Sequence, residues 1–170
     1  MDVEKRIMGK KVLIVDDEKD ILDVLIELLD LCKIDAASSF EEAKNLLETN
    51  DYDLAVLDIQ GVKGFELLEI ANKMGIPSLM LTAHALTAEN LKKSAEKGAA
   101  YYVPKDDISR IATFVSDILE AREKKKNPWV RWFERLSGTF DVIFTGPDWR
   151  EREKEFWKKH KRDDWWGSDD

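Results

Sequence analysis

Four short apolar runs of this chain each end in residues able to handle a phosphoryl group. They are Val12-Leu13-Ile14-Val15-Asp16-Asp17, Leu54-Ala55-Val56-Leu57-Asp58, Leu79-Met80-Leu81-Thr82 and Ala100-Tyr101-Tyr102-Val103-Pro104-Lys105. Three carboxylates together suit a hard divalent cation, and a hydroxyl and an ammonium beside them suit phosphoryl oxygens. Phosphoryl transfer asks mainly for positioning and charge neutralisation, and this set supplies both. A carboxylate nucleophile between two others would repel an incoming phosphate, so Mg2+ is the expected cofactor.

Residues so far apart in sequence meet only if the runs are parallel strands ending on one edge, where open α/β sheets take their ligands. The intervening segments fit that requirement. Helical spacing of Ile21, Leu22, Leu25, Leu28 and Leu29 follows the first run, and Ile34–Ala37 reads as a weak second strand. Ser39 with Glu42 predicts a capping box opening a helix through Leu47. Leu54–Leu57 is almost wholly apolar, as a strand buried on both faces should be. Helices are expected over Phe65–Met74, Thr87–Lys97 (stopped by Gly98) and Ile108–Leu119. Five βα units in this order predict an α/β fold: a doubly wound, five-stranded parallel sheet covered on both faces.

Taken singly, each residue has a plainer reading. Asp16-Asp17-Glu18 could be a helix cap with an acidic first turn, and Asp58 could cap a loop. Thr82 could be a turn hydroxyl, Lys105 a solvated charge and Tyr102 core. All of these would have to hold together at four registered strand ends, and the joint pattern speaks for a site.

That pattern resembles the receiver domain of two-component response regulators, over about residues 10–121. The resemblance implies a flavodoxin-like sheet in the order 2-1-3-4-5 with Asp58 as phosphoacceptor. Asp16 and Asp17 would hold Mg2+ directly or through water, joined by Asp58 and the backbone carbonyl of Gln60. Thr82 and the backbone of Ala83 would bind phosphoryl oxygens, and Lys105 would pair with the group. Tyr102 would be the aromatic that turns inward on activation. Gln60 and His84, two residues beyond Asp58 and Thr82, would flank the phosphoryl group and tune its hydrolysis. The implied partner is a sensor histidine kinase or a phosphotransfer protein, with a homodimer possible through the face of the fourth helix, fifth strand and fifth helix.

Two segments depart from the family pattern. The loop Ile59-Gln60-Gly61-Val62-Lys63-Gly64 is short and lacks a Met-Pro, and Pro104-Lys105-Asp106 stands where Lys-Pro is usual. They leave room for another function: an interaction adaptor that uses the fold without phosphorylation. A phosphotransfer hydrolase fits less well, because such enzymes resemble Asp-x-Asp and Gln60 replaces the second carboxylate. The expectation is therefore a switch that assists its own phosphorylation and dephosphorylation, not a turnover enzyme.

Charge and composition bound the rest. Residues 1–122 hold 15 basic against 24 acidic side chains, while residues 123–170 hold 12 against 11. An acidic main part argues against nucleic acid as a partner. The single cysteine, Cys32, has no internal disulfide partner and sits at helical spacing with core residues. The N-terminus lacks a secretory signal, and no apolar run reaches the roughly 18 residues a spanning helix needs. A cytoplasmic protein is expected.

The expected organisation is a lead over 1–9, the receiver over 10–122, a charged linker over 123–128 and a Trp-rich helical extension over 129–170. All six tryptophans lie in that extension. Asn127 and Pro128 predict a helix start, Gly138 its end, with Trp129, Trp132, Phe133 and Leu136 on one stripe. Asp148 with Glu151 predicts a second helix carrying Trp149, Phe156 and Trp157. The stripe admits three uses: folding against the receiver or on itself as a small helical cap, binding a partner or a second copy, or lying peripherally on a membrane surface.

Overall fold

The computed structural model describes residues 2–83, 88–143, 151, 153–161 and 165–166, apart from the side chains of 140–143. Five parallel strands build the sheet: β1 Lys11–Val15, β2 Lys33–Ala37, β3 Leu54–Asp58, β4 Ser78–Thr82 and β5 Tyr101–Pro104. Their order is β2-β1-β3-β4-β5. Every residue of β3 and β4 is buried, whereas β2 at one edge is mostly half-exposed, which accounts for its weak sequence signal. The order reverses between β1 and β3, so the ends of those strands flank a crevice.

Helices α1 Val3–Ile7, α2 Lys19–Leu28, α3 Phe40–Thr49, α4 Gly64–Lys73, α5 Ala88–Glu96 and α6 Ile111–Lys124 accompany the sheet. The expected N-terminal lead contains α1, with Ile7 in the core and Arg6 tied to α6. Its guanidinium donates to Ser116 Oγ at 3.4 Å and meets Glu120 at 3.1 Å. At α3, Ser39 accepts the Glu42 N–H, but the Glu42 carboxylate reaches the N–H of Ser38, one residue before the cap.

Two helical boundaries differ from expectation. Lys105–Arg110 winds as a 3-10 turn before α6 begins, because Asp107 leaves helical backbone geometry and its carboxylate is held by Arg110 at 2.6 Å. Beyond α6, Lys125 takes a left-handed conformation, and Asn127 accepts the Trp129 N–H to cap helix α7, Pro128–Ile143. That helix runs through Gly138 instead of stopping there. Open space surrounds Gly138, and a helix interior tolerates glycine at a cost of about 1 kcal/mol.

A final helix, α8 Lys154–His160, packs on α7. Asp148 and Trp149, expected to open it, lie outside the described residues. The tryptophan stripe is turned inward: Trp129, Trp132 and Trp157 are buried and join the receiver core. Trp129 Nε1 donates to the Ala99 carbonyl at 2.9 Å, and Trp132 Nε1 to that of Tyr102 at 2.8 Å. Arg135 pairs with Asp117 of α6, which also accepts from Tyr101 Oη at 2.8 Å. Lys92 of α5 meets Glu153 at 2.9 Å. The extension therefore covers the face formed by α5, β5 and α6. No described helix is long and apolar enough to cross a membrane.

Candidate functional site

Each site residue is delivered by the end of a strand. Asp16 follows β1, Asp58 closes β3, Thr82 closes β4 and Lys105 follows β5. Pairing of Asp58 with Leu81 and of Thr82 with Pro104 sets these ends side by side. Lys105 Nζ lies 2.9 Å from Asp16 Oδ2 and 3.2 Å from Asp58 Oδ1, bridging the two innermost carboxylates.

Asp16 shapes the approach to α2 without capping it, since the N-cap is Glu18 and makes no side-chain capping bond. Its Oδ1 accepts the Glu18 N–H at 2.9 Å, turning the chain into α2, while Oδ2 faces the lysine. The carboxylates of Asp16, Asp17 and Glu18 place oxygens within 4.8 Å of one another. Glu18 also stands 3.5 Å from Lys105, a role the sequence reading left to helix capping. The third consecutive acidic residue was the available signal. This oxygen-rich, half-buried cluster fits a hard divalent cation.

Electrostatics agree with the geometry. Burial, then the charge of Asp16, pushes the Asp58 carboxyl up to about 6 despite Lys105. Burial likewise raises Asp16. Burial opposes the charge on Lys105, but its bond to Asp16 and the charge of Asp58 outweigh this and raise it. Two buried acids thus share one ammonium.

The short loop after β3 achieves its closeness through glycine. A Cβ on Gly64 would sit 2.1 Å from the Asp58 carbonyl oxygen, and one on Gly61 would sit 2.3 Å from Asp17 Oδ2. Gly61 also has φ +81°, a left-handed conformation that disfavours any side chain. Gln60 is exposed on this loop, and buried Val62 anchors the loop to the core. Among the described residues no peptide bond is cis, Pro104 included.

Thr82 and half-buried Ala83 line a cleft of about 230 Å³ with Glu18, Ile21, Pro104, Lys105 and Asp106. Tyr102 is fully buried, with Thr82 an electrostatic neighbour of its hydroxyl. Burial pushes that phenol up to about 12. His84 lies outside the described residues.

A doubly wound parallel sheet with an acidic pocket and a lysine at its switch point defines a class of α/β domain that comparison with known proteins narrows. The sequence pattern of the response regulator receiver domain matches residues 12–116. The chain belongs to this family, the receiver domains of two-component systems. It is 36% identical over 104 residues to the two-component response regulator ARR18 of Arabidopsis thaliana, covering 58% of this chain and 16% of that one. To the transcriptional regulatory protein YvrH of Bacillus subtilis it is 32% identical over 127 residues, covering 68% and 53%. It thus spans about half or less of the length of these relatives. A CheY-like receiver domain protein from Methanospirillum hungatei JF-1 superimposes with a TM-score of 0.63 at 31% identity, covering 69% of this chain and 98% of that one.

Proposed function

We propose that the chain is a phosphorelay switch in which Asp58 accepts a phosphoryl group from a phosphohistidine of a sensor kinase or phosphotransfer protein. An Asp58 carboxylate oxygen attacks phosphorus, the P–N bond breaks, and neutral imidazole leaves after taking a proton. The observation that carries this reading is the Lys105 ammonium spanning Asp16 and Asp58 at 2.9 and 3.2 Å, at the mouth of a cleft lined by Thr82 and Ala83.

Lys105 follows the added anion as a mobile point charge, and Thr82 donates its hydroxyl to a phosphoryl oxygen with the Ala83 N–H beside it. Asp16, Asp17, Asp58 and the Gln60 carbonyl would hold Mg2+, which neutralises charge on the transferring group. Gln60 and His84 would set the lifetime of the acyl phosphate. Tyr102 would relay the change at Thr82 to β5, as a local charge event biasing a two-state element. Output passes through the C-terminal extension or through protein partners, and a homodimer built on the α5–β5–α6 face would have to displace α7. The switch works in the cytoplasm, where its donor kinase presents phosphohistidine.

Intact mass after incubation with a small phosphodonor tests the proposal. A gain of one phosphoryl group is expected with Mg2+ on the wild type, and none on Asp58→Asn. A folded wild type that gains nothing from several donors would leave the phosphorylation-independent adaptor as the better reading. A partner bound equally by both proteins would then support that alternative.

A further inference from the structure

A line of neighbours leads from the proposed acceptor to the C-terminal extension. Thr82 stands one residue past Leu81, the register partner of Asp58. Thr82 is an electrostatic neighbour of the Tyr102 hydroxyl, and the Tyr102 carbonyl accepts the Trp132 indole N–H at 2.8 Å. Three residues beyond Tyr102, on the same strand exit, Lys105 spans the two buried carboxylates.

Helix α7 grips β5 and the residues leading into it at two points with matching spacing. Trp129 and Trp132 are three apart, as are their acceptors Ala99 and Tyr102. Trp157 of α8 stacks on Trp132 from the far side, with ring centroids 5.8 Å apart and planes 13° from parallel. The grip is fastened to both flanking helices, through Arg135 and Asp117 on α6 and through Glu153 and Lys92 on α5. β5 is an edge strand, the least supported part of a sheet; it carries Tyr102 and leads directly into Lys105.

We propose that the α7–α8 extension is a clamp on β5, and that its docking and phosphoryl retention at Asp58 stabilise one another. Trp132 is the positioning residue that joins them. The inference rests on Asp58 being the acceptor. A phosphoryl group needs the Thr82 hydroxyl and the Lys105 ammonium held in place, and a clamped β5 meets part of that ordering cost beforehand. Linkage then requires that an occupied acceptor site tighten the clamp by the same factor.

Every tryptophan lies at residue 129 or beyond, so tryptophan emission reports on the extension alone. The test titrates the full chain with beryllofluoride in Mg2+, following emission and measuring affinity by calorimetry. Two variants accompany the wild type and Asp58→Asn. Trp132→Phe keeps an aromatic ring but removes the N–H donor, and Glu153→Lys sets like charges against Lys92 without entering the core. The expected result is an emission change in the wild type that is absent in Asp58→Asn, with affinity lowered about tenfold in both clamp variants. Unchanged affinity in both variants, with α7 loosened by hydrogen exchange, would overturn the clamp and leave the acceptor reading standing. Failure of the folded wild type to bind beryllofluoride would overturn both.

Discussion

Lys105 brings its ammonium to 3.2 Å from Asp58 Oδ1, yet it offsets only part of what burial does to that carboxylate. The Asp58 acid, 2% exposed, stays raised to about 6 because Asp16 shares the same lysine and adds repulsion. The site is therefore organised around charge that metal-free protein accommodates poorly, a common condition where function rather than stability sets the residues.

The first prediction concerns pH. A carboxyl whose folded pKa exceeds its unfolded value binds more protons in the native state, so its ionisation destabilises the fold as pH rises between those values. For Asp58 the window runs from 3.8 to about 6. In metal-free protein, the stability advantage of Asp58→Asn over wild type should grow by about 3 kcal/mol between pH 3 and pH 7. Urea denaturation at a series of pH values measures this, and a difference that stays flat would contradict the buried-acid account.

Divalent cation should relieve the same strain. Mg2+ at about 100 times its dissociation constant should stabilise the wild type by about 2.7 kcal/mol at pH 7, and less at pH 5 where protons compete. Asp17→Asn should lose most of this gain while remaining folded, since Asp17 is exposed. Thermal midpoints with and without Mg2+ decide the matter; equal responses from both proteins would remove Asp17 from the cation site.

The bond between Arg135 and Asp117 fastens the extension to the receiver. Asp117 is buried, and removing the guanidinium leaves it the hydrogen bond from the Tyr101 hydroxyl, with Tyr101 itself pushed up by burial and by Asp117. Arg135→Ala should cost about 2 kcal/mol, less than the roughly 3–5 kcal/mol of a fully buried pair because Arg135 is partly exposed. Asp117→Leu with Arg135→Met should recover much of that loss. A double-mutant cycle by urea denaturation supplies the coupling.

Two glycines should respond in opposite directions. Gly64→Ala drives a Cβ into the Asp58 carbonyl and should destabilise by about 3 kcal/mol or more, disturbing the acceptor with it. Gly138→Ala, in the open on α7, should stabilise by about 0.5–1 kcal/mol. Equilibrium unfolding of both variants distinguishes close backbone approach from mere helix propensity.

The strand ends were legible in the chain because periodicity and parallel topology leave little choice about them. Apolar runs of strand length alternating with helical stripes require a parallel sheet, and parallel strands put Asp16, Asp58, Thr82 and Lys105 on one edge. Glu18 was passed over because a third acid beside a helix start is equally a capping feature; only its 3.5 Å approach to Lys105 separates the two. Gly138 misled because glycine marks helix ends statistically, whereas the packing of α7 carries the helix through it.

By itself the sequence determined the receiver fold, the acidic pocket and which faces of the C-terminal helices are apolar. What those faces cover was decided only in three dimensions. A tryptophan stripe at helical spacing states that a surface will be buried, but the hydrophobic effect has no direction and names no partner. The partner emerges where buried indole N–H groups, which usually find a partner, meet acceptors: Trp129 at Ala99 and Trp132 at Tyr102, each thirty residues upstream. That pairing sets the extension on the strand that leads into Lys105, a relationship no local spacing contains.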